Sequence, residues 1–215
     1  MKSILIIGLG RFGKHMALKF AELKNQVMAV DIDEEKVNEV LPYITDAQIG
    51  DSTKENFIKS LGVNNFDICV VAIGNNFQSS LETTSLLKDL GAEFVLSRAT
   101  RDVHAKFLLK NGADQVVYAE KEMAIKSAVR LSSKNIMDYI EISDDYSIYE
   151  IGVPHSWVGK SIMQLNVRSK YHITILATKE NQQIFALPQA DYCFNGGETL
   201  LVLGHNKDMR TWLNK

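Results

Sequence analysis

The sequence predicts an α/β protein in which a doubly wound parallel sheet is followed by a small α+β domain. Through residue 118, short apolar runs alternate with amphipathic stretches at helical spacing, a pattern typical of parallel strands and their crossover helices. After residue 117 the period changes, and β-type alternation begins at residues 137–142. We therefore expect two domains, 1–134 and 135–215.

Six apolar runs in the first domain are predicted strands. They cover residues 4–7, 27–30, 47–49, 68–73, 94–96 and 115–117. Crossovers of this length are nearly always right-handed, so the simplest topology is a Rossmann sheet with strand order 3-2-1-4-5-6. Residues 52–55 read Ser-Thr-Lys-Glu, which predicts a capping box opening the third helix. Gly62, Gly91 and Gly112 are predicted left-handed residues that end three helices.

The second domain is predicted to follow a connecting helix over residues 120–133. No Pro- or Gly-rich linker separates the halves, so this helix makes the connection itself. Asp144-Asp145 indicates a turn, and further strands and two helices complete the domain. Those strands are expected around residues 149–153, 173–177, 184–187 and 199–203, and the helices at 161–165 and after residue 205.

Composition narrows the class of protein. The chain has 215 residues, 46% hydrophobic, with dispersed charges and a formal charge of −2, so nucleic acid is not the expected partner. Its apolar stretches are too short to cross a hydrocarbon core of roughly 30 Å, and the first strand begins by Ser3, which leaves no room for a signal peptide. The two cysteines and five histidines lack metal-ligand spacing. We expect an intracellular protein.

A glycine motif directly follows the first predicted strand and opens a helix. Gly8, Gly10 and Gly13 form G-x-G-x-x-G. The first glycine permits a tight turn, the second lets a pyrophosphate approach the backbone, and the third lets helix pack on strand. The helix N-terminus adds free N–H groups and partial positive charge. This context predicts a site for a nucleotide.

Asp31 ends the second strand eighteen residues after Gly13. A carboxylate there accepts hydrogen bonds from ribose hydroxyls and repels a 2′-phosphate, which disfavours NADP. The ends of the third and fourth strands share this edge, where Asp51 and Ser52 are expected near adenine and Gly74 near ribose and phosphate. The predicted site comprises Gly8, Gly10, Arg11, Phe12, Gly13, Asp31, Ile32, Asp51, Ser52, Ala72, Ile73, Gly74 and Arg98.

The ligand stays open between ATP or ADP and NAD or NADH. Arg11 lies within the glycine turn, where its guanidinium can reach a further phosphate by charge-assisted bonds. An arginine on the surface without a ligand is the alternative interpretation.

Binding is predicted, whereas catalysis is not. No Tyr-x-x-x-Lys pair is present, and no G-x-x-x-x-G-K-[ST] loop occurs. The residues by themselves therefore favour a nucleotide-binding protein over an enzyme. The alternatives are a small NAD-dependent oxidoreductase and an NAD-responsive redox regulator.

Four segments of the first half resemble the RCK (regulator of potassium conductance) family: residues 8–13, 30–37, 50–53 and 71–74. The second half resembles the C-terminal RCK module through residues 158–168 and 188–204. The resemblance covers essentially the whole chain and is strongest to the cytosolic gating subunits of bacterial potassium uptake systems. One departure is Gly197-Glu198, where the family usually has Gly-Asp.

This resemblance implies a function. Such subunits form dimers that assemble into octameric rings beneath a membrane potassium channel subunit, and exchange of ATP for ADP changes the ring. The protein would then be cytoplasmic and peripheral to the inner face of the membrane. Arg11 would contact the terminal phosphates, in its own site or that of a neighbouring protomer.

The resemblance also implies two further sites. Glu120 would bind a divalent cation near the dimer seam, although an acidic residue in a helix's first turn is the simpler interpretation. The C-terminal modules would bind cyclic di-AMP at their dimer interface through five residues, of which Arg168 and His172 are otherwise interpreted as solvated side chains next to a strand. They are Asn166, Arg168, His172, Ile173 and Pro188.

Overall fold

The computed structural model describes residues 1–213, without the side chains of Arg210 and Leu213. Contacts divide the chain into two compact units, Met1–Lys121 and a second that begins at Glu122. This division lies inside the connecting helix, and the boundary expected at residues 134 and 135 stays a prediction. None of the described helices combines the length and apolar character needed to cross a membrane.

The first unit contains a six-stranded parallel sheet in the order 3-2-1-4-5-6, which confirms the predicted topology. The fourth strand is shorter than predicted, because its ladder ends where the Ala72 N–H donates to the Ile7 carbonyl at 2.7 Å. The strands are β1 (Ser3–Ile7), β2 (Gln26–Asp31), β3 (Asp46–Ile49), β4 (Ile68–Val71), β5 (Val95–Arg98) and β6 (Gln115–Val117).

Helices cover both faces of this sheet, so β1 is buried on both sides and reads as a continuous apolar run. Gly62, Gly91 and Gly112 have φ of +65°, +87° and +100°, which confirms the predicted helix ends. The helices are α1 (Arg11–Glu22), α2 (Glu34–Val40), α3 (Glu55–Ser60), α4 (Phe77–Asp89), α5 (Asp102–Lys110) and the connecting α6 (Ala119–Leu131).

The predicted capping box at residues 52–55 is wrong. Helix α3 begins after Lys54, whose side chain makes no capping bond. Ser52 is buried instead, and its hydroxyl lies 2.8 Å from that of Thr83 on α4. Asp51 closes the turn by accepting from the Thr53 amide at 3.0 Å and hydroxyl at 2.7 Å. A tertiary contact to α4 therefore replaces the local cap.

The second unit contains an antiparallel sheet in the order β10-β9-β11-β8-β7, which confirms the predicted α+β module. Ser161 opens its first helix with a full capping box to Gln164, and a helix not foreseen from the sequence follows at once. The strands are β7 (Ile136–Glu141), β8 (Tyr146–Gly152), β9 (Ile173–Glu180), β10 (Gln183–Ala186) and β11 (Thr199–His205), and the helices α7 (Ile162–Leu165), α8 (Val167–Tyr171) and α9 (Asn206–Leu213).

Glu198, the departure from the family's Gly-Asp, is a buried loop clamp that precedes β11. It is 4% exposed and accepts from the Tyr192 hydroxyl at 2.6 Å and the Asn195 amide at 2.8 Å. This hydrogen bond, with burial, raises the pKa of Tyr192. The longer glutamate side chain thus spans from the strand to both donors.

We expect Glu198→Ala to destabilise the second unit by about 1–3 kcal/mol, because it removes the charged acceptor of two part-buried hydrogen bonds. Both tryptophans of the chain, Trp157 and Trp212, stack in this unit's core. Urea unfolding followed by tryptophan fluorescence therefore measures the effect. Tyr192→Phe is the milder comparison, because it removes only the tyrosine hydroxyl and keeps the hydrogen bond from the Asn195 amide to Glu198. A smaller loss of stability for Glu198→Ala than for Tyr192→Phe would contradict the role of Glu198 as a clamp.

Candidate functional site

A cleft of about 680 Å³ lies at the carboxyl edge of the parallel sheet, where the turns after β1, β2, β3 and β4 converge with the end of β5. The edge includes the point between β1 and β4 where the strand order reverses, which is where such sheets bind ligands. All predicted site residues except Phe12 and Gly13 line it. They are Gly8, Gly10, Arg11, Asp31, Ile32, Asp51, Ser52, Ala72, Ile73, Gly74 and Arg98.

The glycine turn forms the floor of the cleft. Gly8 has φ of +96°, and its amide donates to the Val30 carbonyl at 2.7 Å. A Cβ on Gly13 would lie 1.9 Å from the Gly8 carbonyl oxygen, so helix α1 packs against the turn at glycine distance. By contrast, a Cβ on Gly10 would meet no atom within 4 Å. Gly10 therefore leaves open space on the side from which a pyrophosphate approaches.

Helix α1 presents an uncapped N-terminus to this space. Gly10 is its N-cap and offers no side chain, and the first turn carries no acidic residue. The leading N–H groups of a helix have no partner within the helix, and the macrodipole places partial positive charge there. This end of the cleft is thus suited to an anion such as a phosphate.

Asp31 links the glycine turn to the end of β2. Its Oδ2 accepts from the Leu9 amide at 2.6 Å, and its Oδ1 accepts from the Asp33 amide at 3.0 Å. The side chain is 10% exposed and borders the cleft. Since a carboxylate oxygen accepts more than one hydrogen bond, Asp31 can hold the turn and still accept from a ribose hydroxyl.

The opposite wall is formed by the turn after β3. The hydroxyl and amide of Thr53 lower the pKa of Asp51, so this carboxylate is ionised at neutral pH. A Cβ on Gly50 would lie 2.2 Å from the Phe57 ring, which explains the glycine before Asp51. The hydroxyl of Ser52 is committed to Thr83 and supports the wall from behind.

Arg98, at the end of β5, closes the cleft beside Gly74. A Cβ on Gly74 would lie 2.5 Å from Arg98 Nη1, so glycine there makes room for the guanidinium. Arg98 pairs with Glu120, and its Cζ lies 5.7 Å from the centre of the Phe12 ring. Phe12 itself packs on the core beneath α1 and does not line the cleft.

Glu120 lies in the first turn of α6. A hydrogen bond from the backbone amide of Glu120 to its own carboxylate lowers the pKa of this side chain. Burial opposes this shift, and the nearby Arg98 guanidinium adds to it. Over the part of the chain that is described, no group of three acidic, histidine or cysteine side chains could hold a metal ion. The divalent cation at Glu120 stays a prediction.

Several polar residues that line the cleft were missed by the sequence analysis. Asn76 caps α4, and its Oδ1 accepts from the Ser79 amide at 3.0 Å. Lys14 pairs with Glu39 across α1 and α2. Helical spacing gives a signal for the lysine, because Lys14 lies one turn after Gly10 on the first turn of α1. The missed residues are Lys14, Lys36, Glu39, Thr53, Asn76 and Ser79.

The residues expected to bind cyclic di-AMP lie in the second unit, around helix α8. Asn166 and His172 flank this helix with φ of +46° and +55°, and Arg168 is exposed on it. Ile173 is 1% exposed and belongs to the core, so only its backbone can face a ligand. Pro188 lies beyond β10 and is half-buried. This site stays a prediction.

Two family models match this chain, one in each half. Residues 4–119 match the TrkA-N domain, and residues 147–214 match the TrkA-C domain. The chain is 42% identical to Ktr system potassium uptake protein A of Bacillus subtilis (strain 168), covering 100% of this chain and 96% of that protein. It is 40% identical to Ktr system potassium uptake protein C of the same organism, covering 97% and 94%.

A solved structure described as the GsuK RCK domain shares the fold. It superposes with a TM-score of 0.69 at 16% identity, covering 99% of this chain and 47% of that chain. The RCK resemblance seen in the sequence is therefore matched by both sequence relatives and architecture.

Proposed function

This chain belongs to the family of Ktr potassium uptake proteins, with the TrkA-N and TrkA-C domains, and on that premise we propose that it is a nucleotide-sensing subunit that regulates a membrane potassium transporter. The membership confirms the RCK prediction and the expectation of a regulatory protein that is not an enzyme. The oxidoreductase alternative is not supported by the relatives.

One observation carries the nucleotide proposal. The uncapped α1 N-terminus and the carboxylate of Asp31 face the same 680 Å³ cleft, and they are suited to the phosphate and ribose of one molecule. ATP and ADP are the proposed ligands, because Arg11 and Arg98 add cationic groups at the cleft. NAD and NADH are the alternative pair.

Regulation requires two conformations with different affinities for the two nucleotides, since a ligand shifts an equilibrium only by its differential affinity. We propose that these are states of a homo-oligomer, built from dimers into an octameric ring, that sits at the cytoplasmic face of the membrane on its transporter. Glu120, exposed and ionised, is a proposed cation ligand between protomers. Cyclic di-AMP is a proposed second ligand, supported by the exposed Arg168 beside the turns at Asn166 and His172.

Mass spectrometry of nucleotide retained on purification, followed by calorimetry, tests this function. We expect an adenine nucleotide to co-purify, and the dissociation constants of ATP and ADP to differ by about tenfold, or about 1.4 kcal/mol. Light scattering with either nucleotide measures the assembly, with an octamer expected. A monomer that binds none of ATP, ADP, NAD and NADH would refute the proposal. Equal affinity for ATP and ADP would refute the switch between them.

A further inference from the structure

Two lysines unforeseen from the sequence line the same cleft as Asp31, and each pairs with a carboxylate. Lys14 on α1 pairs with Glu39 on α2. Lys36 Nζ lies 2.9 Å from Asp33 Oδ2 and 3.9 Å from Asp31 Oδ1. The hydrogen bond that Lys36 donates to Asp33, with the charge of Asp31, raises the pKa of Lys36, so this lysine is charged at neutral pH. These two cations and three carboxylates carry a local formal charge of −1.

Cations at this position have a chemical consequence. The end of β2 is where the ribose 2′-oxygen of an adenine dinucleotide binds, and a basic side chain nearby is what accommodates a 2′-phosphate. Lys36 lies at this end, 3.9 Å from Asp31 Oδ1, and Lys14 lines the same cleft, so both carry the charge that such a phosphate needs. Both lysines are, however, already paired with carboxylates, Lys14 with Glu39 and Lys36 with Asp33.

The fold explains one of these carboxylates and leaves the other unexplained. Asp33 is the N-cap of α2, and its side chain accepts from the Glu35 amide at 3.1 Å. Glu39 lies in the last turn of the same helix, where the macrodipole opposes a negative charge. Its side chain is 59% exposed and faces Lys14 at the rim of the cleft. The position of Glu39 is therefore explained by its ion pair with Lys14, whereas the dipole of its own helix disfavours a negative charge there.

We propose that Glu39 is a specificity-determining residue that keeps 2′-phosphorylated nucleotides out of the cleft by occupying Lys14. Asp31 accepts from the ribose hydroxyl, and Glu39 neutralises the cation that would otherwise attract a phosphate on that hydroxyl. The inference rests on the proposed function, because it assumes that the adenosine ribose lies at Asp31.

Adenosine 5′-phosphate and adenosine 2′,5′-bisphosphate differ only by the 2′-phosphate, so calorimetry with this pair isolates the effect. We expect Glu39→Gln to raise the affinity for the bisphosphate relative to the monophosphate by about tenfold, the worth of a charge-assisted bond. In the double variant Lys14→Met with Glu39→Gln, the ratio should return to that of the unsubstituted protein. Thermal unfolding of each variant checks that the fold is intact.

Glu22→Gln is the matched control. It removes the carboxylate of another exposed pair on α1, Lys19 Nζ to Glu22 at 2.6 Å, which lies outside the cleft. Its ratio should not change. Two results would overturn the role of Glu39 and leave the proposed function standing. One is an affinity ratio of bisphosphate to monophosphate that is the same in Glu39→Gln as in the unsubstituted protein. The other is a ratio that stays raised in the double variant. An unsubstituted protein that binds none of ATP, ADP, NAD and NADH would overturn the proposed function and this inference with it.

Discussion

Gly13→Ala is expected to destabilise the first unit by about 3 kcal/mol or more, at the upper end of the range for overpacking. The added Cβ would lie 1.9 Å from the Gly8 carbonyl oxygen and 3.0 Å from the Ala72 Cβ. Both are parts of the floor of the cleft, so α1 must move away from β1. The gain of about 1 kcal/mol in helix propensity from glycine to alanine is too small to offset this.

Two probes separate this loss from effects on the second unit. Both tryptophans lie in the second unit, so fluorescence follows that unit, whereas far-UV circular dichroism follows both. In urea, the dichroism midpoint should fall while the fluorescence midpoint stays near its original value. Coincident, unshifted midpoints would contradict the packing role of Gly13.

Gly10→Ala is the matched substitution in the same motif. Gly10 has φ of −62° and its Cβ would meet nothing within 4 Å, so the loss should stay at about 1 kcal/mol, the preference for glycine over alanine at an N-cap. The methyl group would occupy the open space above the α1 N-terminus, and nucleotide binding should weaken. Gly13→Ala is therefore expected to affect mainly stability, and Gly10→Ala mainly nucleotide binding, which calorimetry with ATP measures.

These glycines also show how much of the site the sequence could predict. The motif and Asp31 are local signals, because their chemistry depends on a strand, a turn and a helix that are adjacent in sequence. The strand order followed from right-handed crossovers, and the carboxyl edge then placed residues from distant turns together. For this reason the residues predicted after β3 and β4 line the same cleft as those predicted after β1.

The structure differs from the sequence-based expectation where contacts between distant segments determine the position of a side chain. Ser52 has the local pattern of an N-cap, but its hydroxyl bonds Thr83, thirty-one residues away. The place of Glu39 at the cleft could not be predicted from local sequence, because it depends on an ion pair with Lys14 on another helix. Phe12 was assigned to the site by its place in the motif, whereas the helical turn directs its side chain to the core. Long-range pairing of side chains was beyond a reading of local patterns.

Asp31→Ala is expected to weaken adenine-nucleotide binding by about 1.5–3 kcal/mol, the range for hydrogen bonds to a charged group. The structure adds a second reason for the loss, because Asp31 also accepts from the amides of Leu9 and Asp33. Without the carboxylate, the glycine turn keeps its backbone bond to Val30 but loses the side-chain acceptor that joins Leu9 to β2. Calorimetry with ATP and ADP measures the change.

Asp31→Asn should retain only part of the affinity, although asparagine has nearly the same shape as aspartate. Both carboxylate oxygens accept from backbone N–H groups, so the amide nitrogen of asparagine would face one of these donors. We expect its affinity to lie between those of Asp31→Ala and the unsubstituted protein. An asparagine variant with full affinity would show that the charge and both acceptors are dispensable.

Asp67→Ala separates binding from structural support. Asp67 also accepts from a backbone amide, that of Ser3 at 2.6 Å, but it lies at the amino edge of the sheet, where β1 begins and β4 follows. Its loss should lower stability while nucleotide affinity stays unchanged. Equal losses of affinity in the two alanine variants would mean that Asp31 acts only by supporting the sheet, and the ribose would then have to be held elsewhere in the cleft.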